Sequence, residues 1–412
     1  MAPTAQPLSR THWKLAVAGG MASYLDSGLI VSLGIALPIW STSFQLDAWA
    51  IGIISAGLTF AIAVGALFGG RIADLFGRTR VFNIDVLLYL VGAVLILVAP
   101  SQAVLVTGVL IAGVAAGADL PTSIAVISER APAGGQGRMV AFTQVMWTVG
   151  IVMATLLGFL FSGLGDLGAR LLFAHLAVAA LVTWLVRVFS PAFARLEVQT
   201  LPSGSGERVL PLTGLLRDRR YLTAIGLTAL FYIAYGVVAN TIGQFKTYFL
   251  VEVGGATQTV ATGFAFVATL IGLTCAVLFT RAADGPWRNR LFGIGAAGLV
   301  AGLLLIVFTG GTILPVVFVF LIVYNLSNPF CGEAVYKVWT QESFPPNVRA
   351  TVQGITYAIA RFVFAGVALV TPALIAWSPS GLFAILAGLA VTSALLGAVL
   401  IRRTRSAVLV SA

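Results

Sequence analysis

Charge is scarce in this chain: of 412 residues only 9% are Asp, Glu, Lys or Arg, where a soluble domain carries roughly 25%. That excludes an ordinary soluble domain. It also excludes a disordered chain, which is poor in apolar residues. Histidine and cysteine are scarcer still, at two each. His12 and His175 are too few and too far apart to hold a metal, and Cys275 and Cys331 both lie inside apolar runs. No metal site, disulfide scaffold or cofactor is expected. The sequence lacks a P-loop and a nucleophile–base arrangement, so a membrane enzyme is the weakest function class. It also lacks a short basic-plus-apolar leader with a small-residue cleavage site, so no signal peptide is expected. What it has in abundance is hydrocarbon: 59% apolar residues and a mean hydropathy of +1.01.

The apolar residues fall into twelve runs, near 14–40, 48–70, 81–99, 103–127, 139–162, 171–190, 221–250, 257–280, 291–311, 313–337, 350–376 and 380–401. A membrane helix needs about 20 mostly apolar residues. The runs are too continuous for barrel strands, which alternate. Backbone groups in hydrocarbon must be bonded internally, so the runs are helices in an all-α membrane protein. The net charge of +10 is a topology signal rather than a nucleic-acid footprint. With the N-terminus in the cytoplasm, 21 of 24 basic residues, Arg187 among them, fall in cytoplasmic segments. Arg170 and Lys246 fall at the outer side, and Arg361 lies within a span. The expected setting is a bacterial inner membrane, crossed many times, with both termini cytoplasmic.

The stretch 191–220, with Pro191, Pro202, Gly204, Gly206 and Pro211, separates six spans from six and reads as a linker between bundles 1–190 and 221–412. The halves are related. Loop 2–3 runs Gly70-Arg71-Ile72-Ala73-Asp74-Leu75-Phe76-Gly77-Arg78, and loop 8–9 carries Asp284, 210 positions after Asp74. Loop 4–5 has Glu129, Pro132 and Arg138; loop 10–11 has Glu342, Pro345 and Arg349, with the glutamates 213 apart. One offset for two signals implies duplicated halves.

Residues 70–80 resemble the loop 2–3 signature of the major facilitator superfamily, and the resemblance covers the whole chain. It implies two six-helix bundles rocking around a central cavity lined mainly by helices 1, 4, 7 and 10. It also implies a conformational latch made by Gly70, Asp74, Gly77, Arg78, Glu129, Arg138, Asp284, Glu342 and Arg349.

An ionisable residue at mid-bilayer costs about 2.5–3.5 kcal/mol on insertion scales and needs a reason to be there. Asp26 lies near the midplane of span 1, with Ser23 and Ser27 on its face. Asp119 lies in the inner half of span 4, with Thr122 and Ser123 beside it. Asp26 is the leading proton-coupling residue and Asp119 its rival or partner; the competing readings are a structural ion pair and a helix–helix hydrogen bond. Arg361 reads either as counter-ion to one of these aspartates or as the holder of an anionic substrate group. Asp85, Glu333 and Lys337 read as structural or gating. Polar and aromatic residues suggest a binding site for a small polar solute: Gln144 and Trp147 in span 5; Tyr232, Tyr235, Asn240 and Gln244 in span 7; Tyr324, Asn325 and Asn328, ahead of a break at Pro329, in span 10; and Tyr357 in span 11. Interhelical hydrogen bonding is the competing account of each. The Gly65–Gly69 and Gly113–Gly117 pairs read as close helix packing.

Within the superfamily, Tyr24-Leu25-Asp26-Ser27-Gly28 and Glu342-Ser343-Phe344-Pro345 resemble sugar porters, whose helix 1 aspartate is linked to proton coupling. Gly117-Ala118-Asp119-Leu120-Pro121 resembles the organic-ion and aromatic-acid transporters. Val109, Ile151 and Gly332 stand where sugar porters have an arginine, a glutamine and a tryptophan. That argues against a hexose and leaves a polyol, an organic acid or another organic ion open. The resulting expectation is a monomeric, proton-coupled symporter importing a small polar metabolite. Antiport export and uncoupled facilitation are the alternatives. Span 5, Val149-Gly150-Ile151-Val152-Met153, lacks the proline of exporters. A receptor would be expected to carry a cytoplasmic signalling extension, and the tails here are short.

Overall fold

In the computed structural model, residues 9–131, 136–189, 219–282, 287–343 and 346–410 are described. They hold twelve helical spans long and apolar enough to cross a membrane. The chain divides into two units, Met1–Gly206 and Glu207–Ala412. The first contains α1 (Arg10–Ser43), α2 (Ala48–Phe76), α3 (Arg78–Leu97), α4 (Gln102–Arg130), α5 (Gln136–Leu160) and α6 (Asp166–Phe189). The second contains α7 (Arg219–Glu252), α8 (Gln258–Ala282), α9 (Arg288–Thr309), α10 (Leu314–Cys331), α11 (Glu333–Ser343), α12 (Pro346–Trp377) and α13 (Pro379–Val410). The tenth span is shared by α10 and the start of α11.

Caps and glycines set the ends and approaches of these helices. Ser9 caps α1, and the Asp47 carboxylate accepts from the Ala50 N–H at 2.7 Å to cap α2. Gly77 alone joins α2 to α3 at φ +93°, a conformation strained for a side chain. The glycine pairs act as expected. A Cβ on Gly65 would strike the Val114 carbonyl, and one on Gly117 the Ile62 carbonyl, so α2 and α4 touch backbone to backbone.

The duplication read from loop offsets recurs in the packing. In the first unit α1 packs on α5 and α6, α2 on α4, and α3 on α4 and α6. In the second unit the same pairs recur as α7 on α12 and α13, α8 on α10, and α9 on α10 and α13. The burial pattern is that of a protein in lipid. Phe308 and Trp377 are each 83% exposed, whereas Asp26 is 0% exposed. Apolar residues fill the interior and also cover the outside, while membrane-buried polar groups such as Asp26 turn inward, where partners are found.

Candidate functional site

In the first unit the polar core starts at the centre of α1. Asp26 is wholly enclosed, with Ser23 and Ser27 also buried. Tyr89 of α3 donates its hydroxyl to the Leu25 carbonyl at 2.9 Å and lies within electrostatic reach of Asp26. The Tyr24 hydroxyl meets His175 Nε2 of α6 at 2.7 Å. Ser27 donates to the Trp147 carbonyl at 2.8 Å, and a Cβ on Gly150 would strike Ser27 and the Tyr24 backbone. Thus α5 is seated tightly on α1 beside the aspartate. Trp147 enters this contact through its backbone, its side chain half-buried, and Gln144 is exposed. Tyr89 is absent from the sequence reading, and His175 enters it only as a metal ligand set aside, since a single polar ring within an apolar run carries no pattern.

Asp119 has a counter-ion that the sequence reading did not supply. Arg187, counted there as a cytoplasmic topology charge, turns inward from the end of α6 and is buried. Its Nη1 and Nη2 donate to Asp119 Oδ1 and Oδ2 at 2.9 and 3.1 Å. Nε and Nη2 donate to the Ala18 carbonyl at 3.2 and 3.0 Å, and Nη1 to the Phe82 carbonyl at 2.6 Å. The guanidinium carbon lies 3.7 Å from the centroid of the Phe82 ring. Ser123 completes the set, donating to Asp119 Oδ1 at 2.7 Å. One arginine therefore ties α1, α3, α4 and α6 together in the planar, forked geometry suited to a carboxylate.

In the second unit three tyrosines converge. Tyr232 of α7 lies 4.5 Å, ring centroid to centroid, from Tyr336 of α11 and 4.8 Å from Tyr357 of α12. The Tyr357 hydroxyl donates to Glu333 at 2.9 Å, and Lys337 pairs with the same carboxylate at 2.9 Å. Arg361, one turn beyond Tyr357, lies within electrostatic reach of Glu333 and Tyr232. Arg361 reads in the sequence either as counter-ion to Asp26 or Asp119 or as the holder of an anionic substrate group. Asp119 is instead paired with Arg187, and Glu333 is an acid that Arg361 faces within its own unit.

Nearby, the Tyr235 hydroxyl donates to the Asn328 side-chain oxygen. The helix break comes later than expected. Pro329 stays inside α10, and the break falls at Gly332 (φ −109°, ψ −145°), where a Cβ would run into the Tyr235 ring and the Asn328 carbonyl. Gln244 is 1% exposed on α7, whereas Asn240 is half-buried. Asn325 does not join Asn328. It donates to the Leu321 carbonyl of its own helix and lies against Gly272 of α8. Tyr324 packs on Phe320. Lys246 lines a narrow apolar cavity with Thr241, Phe245 and Phe320.

The latch residues are described only in part. Gly77 is placed as above, and Gly70 lies within α2. The side chains of Asp74, Arg78, Glu129, Arg138, Glu342 and Arg349, and the whole of Asp284, lie outside the described residues.

The sequence profile of the Major Facilitator Superfamily matches residues 16–368. The minor myo-inositol transporter IolF of Bacillus subtilis (strain 168) is 33% identical over 397 residues, 93% of this chain and 89% of that one. The cis,cis-muconate transport protein of Acinetobacter baylyi is 28% identical over 387 residues, 90% of this chain and 88% of its own length. Among solved structures, the D-xylose-proton symporter superposes with a TM-score of 0.79 at 18% identity, over 93% of this chain and 96% of that one.

Proposed function

This chain belongs to the major facilitator superfamily, whose members are transporters rather than enzymes, and from that premise we propose that it imports a small polyhydroxylated metabolite of the sugar or polyol class. The observation that carries the reading is the company of Tyr232: two further tyrosine rings, with the Tyr235–Asn328 pair one turn along α7; further along the same helix Gln244 is buried. Aromatic faces cover the C–H faces of such a solute, while amides and hydroxyls pair its hydroxyls. The 33% identity to a myo-inositol transporter supports the same class.

Transport is by alternating access and is coupled to protons. Asp26 is the coupling residue: a carboxyl wholly enclosed at the centre of α1, where one added proton removes a buried charge. The chain acts as a monomer in a bacterial inner membrane, with both termini in the cytoplasm.

The test uses purified protein in liposomes that enclose a pH-sensitive dye. Myo-inositol, xylose, glucose, monocarboxylates and aromatic acids are added in turn. Internal acidification with the polyol and sugar group, absent from empty liposomes and from Asp26→Asn, is the expected result. Radiolabel exchange without proton movement overturns the coupling and leaves a facilitator. Internal alkalinisation as solute enters points to antiport. Acidification with acids alone overturns the substrate class.

A further inference from the structure

Asp85 has no part in the reading above. It lies on α3 three residues after Phe82 and four before Tyr89, so the three share one helix face. Phe82 is where the Arg187 guanidinium touches α3, through both its ring and its carbonyl. Asp85 is 7% exposed and lies within electrostatic reach of both Arg187 and Asp119. Its Oδ2 is enclosed and has no hydrogen-bond partner among the described residues. At the other end of the face, Tyr89 reaches the backbone of α1 beside Asp26.

Among the described residues, the charges in this pocket do not balance if both carboxylates are ionised. Arg187 brings one positive charge, and Asp119 already meets it with two hydrogen bonds. An ionised Asp85 leaves a buried excess of one negative charge, the kind of uncompensated charge that costs several kcal/mol away from water. A proton on Asp85 restores neutrality and gives the carboxyl an O–H to donate. The groups facing it are Asp119 of α4 and Arg187 of α6; along its own helix, Tyr89 faces Asp26 and Tyr24 of α1.

We propose that Asp85 is a second proton-binding site of the first unit, on the α3 face that meets Arg187 at Phe82 and the α1 backbone beside Asp26 at Tyr89. The inference rests on the proton-coupled reading above. Protonation adds one proton to the Asp85 carboxylate and breaks no other bond.

The test compares wild type, Asp85→Asn and Asp85→Glu in two assays. The first is pH-difference infrared spectroscopy, which needs no substrate and reads the carbonyl band of a protonated carboxylic acid. The second is accumulation of labelled myo-inositol in liposomes, where a gradient of one pH unit supports about tenfold accumulation per coupled proton. The expected result is a carboxylic-acid band that Asp85→Asn loses and Asp85→Glu restores at a shifted frequency. Accumulation in Asp85→Asn should fall to a ratio of about one, with exchange at equal pH still measurable. If Asp85→Asn removes no carboxylic-acid band relative to wild type, any remaining band being that of Asp26, the site is overturned, and accumulation that survives overturns its part in coupling. Asparagine has the shape of a protonated aspartate, so an Asp85→Asn protein that does not fold also counts against the proposal. If wild type shows the Asp85 band and exchanges myo-inositol but moves no protons, the coupling reading falls and the site stands.

Discussion

Arg187 and Asp119 form a forked ion pair inside the first unit, with the arginine side chain 0% and the aspartate side chain 4% exposed. The pair holds four helices together through one guanidinium. Removing one partner leaves the other charge buried, which costs about 3–5 kcal/mol. Arg187→Met is therefore expected to lower thermal stability sharply in detergent. Arg187→Lys should recover little of it, because a lysine ammonium cannot span both carboxylate oxygens and two backbone carbonyls. The double variant Arg187→Met/Asp119→Leu should recover most of it, since no charge is stranded. Equal melting temperatures for the single and double variants would refute this account.

The approach of α2 to α4 is set by small residues, and it gives a second expectation. Gly117→Val places its side chain against the Ile62 carbonyl and forces the helices apart. Overpacking of this kind typically costs about 1–3 kcal/mol. Gly366 of α12 has nothing near its Cβ position, so Gly366→Ala serves as the control. Thermal unfolding followed by tryptophan fluorescence should separate the two. Matching behaviour would show that the close approach does not matter.

Much of this architecture is legible before any coordinates are known. Hydropathy gives the twelve spans, because a helix in lipid needs length and little charge. The offsets of Asp74 to Asp284 and Glu129 to Glu342 reveal the duplication that the packing repeats. What is hidden is direction. Arg187 sits among cytoplasmic basic residues in the sequence, and only the rotation of α6 turns it inward. The break at Gly332 rather than Pro329 depends on Tyr235 from a helix about a hundred residues earlier. Asn325 and Asn328 look equivalent in the chain, yet one faces α8 and the other meets Tyr235. Helix ends also run beyond the apolar cores, as in α4 to Arg130, because a helix does not stop where the hydrocarbon does.

Tyr235 and Asn328 allow a test that separates binding from folding. Tyr235→Phe keeps the ring against Gly332 and removes only the hydroxyl given to Asn328. A single hydrogen bond is worth about 0.5–1.5 kcal/mol. The fall in melting temperature should be limited to what that one bond contributes, while affinity for myo-inositol, read as the KM of exchange, should weaken by about two- to tenfold if the pair holds the solute. An unchanged KM would remove this pair from the proposed binding site.

Arg361 decides between a counter-ion and a substrate anchor. In the structure it faces Glu333, whose carboxylate also takes a hydrogen bond from Tyr357 and an ion pair from Lys337. A counter-ion acts on every substrate alike, whereas an anchor for a substrate carboxylate matters only for acids. Arg361→Gln is therefore expected to reduce exchange of myo-inositol and of monocarboxylates by the same factor, if both are carried. Adding Glu333→Gln should not restore the loss, because Arg361→Gln leaves Glu333 paired with Lys337, whereas the double variant deprives the Lys337 ammonium of that carboxylate. The double-mutant cycle reads that coupling directly, with about 0.5–3 kcal/mol expected for groups in one network. A coupling of zero, together with selective loss of acid transport in Arg361→Gln, would move Arg361 into the substrate site and shift the substrate class from polyols towards organic acids.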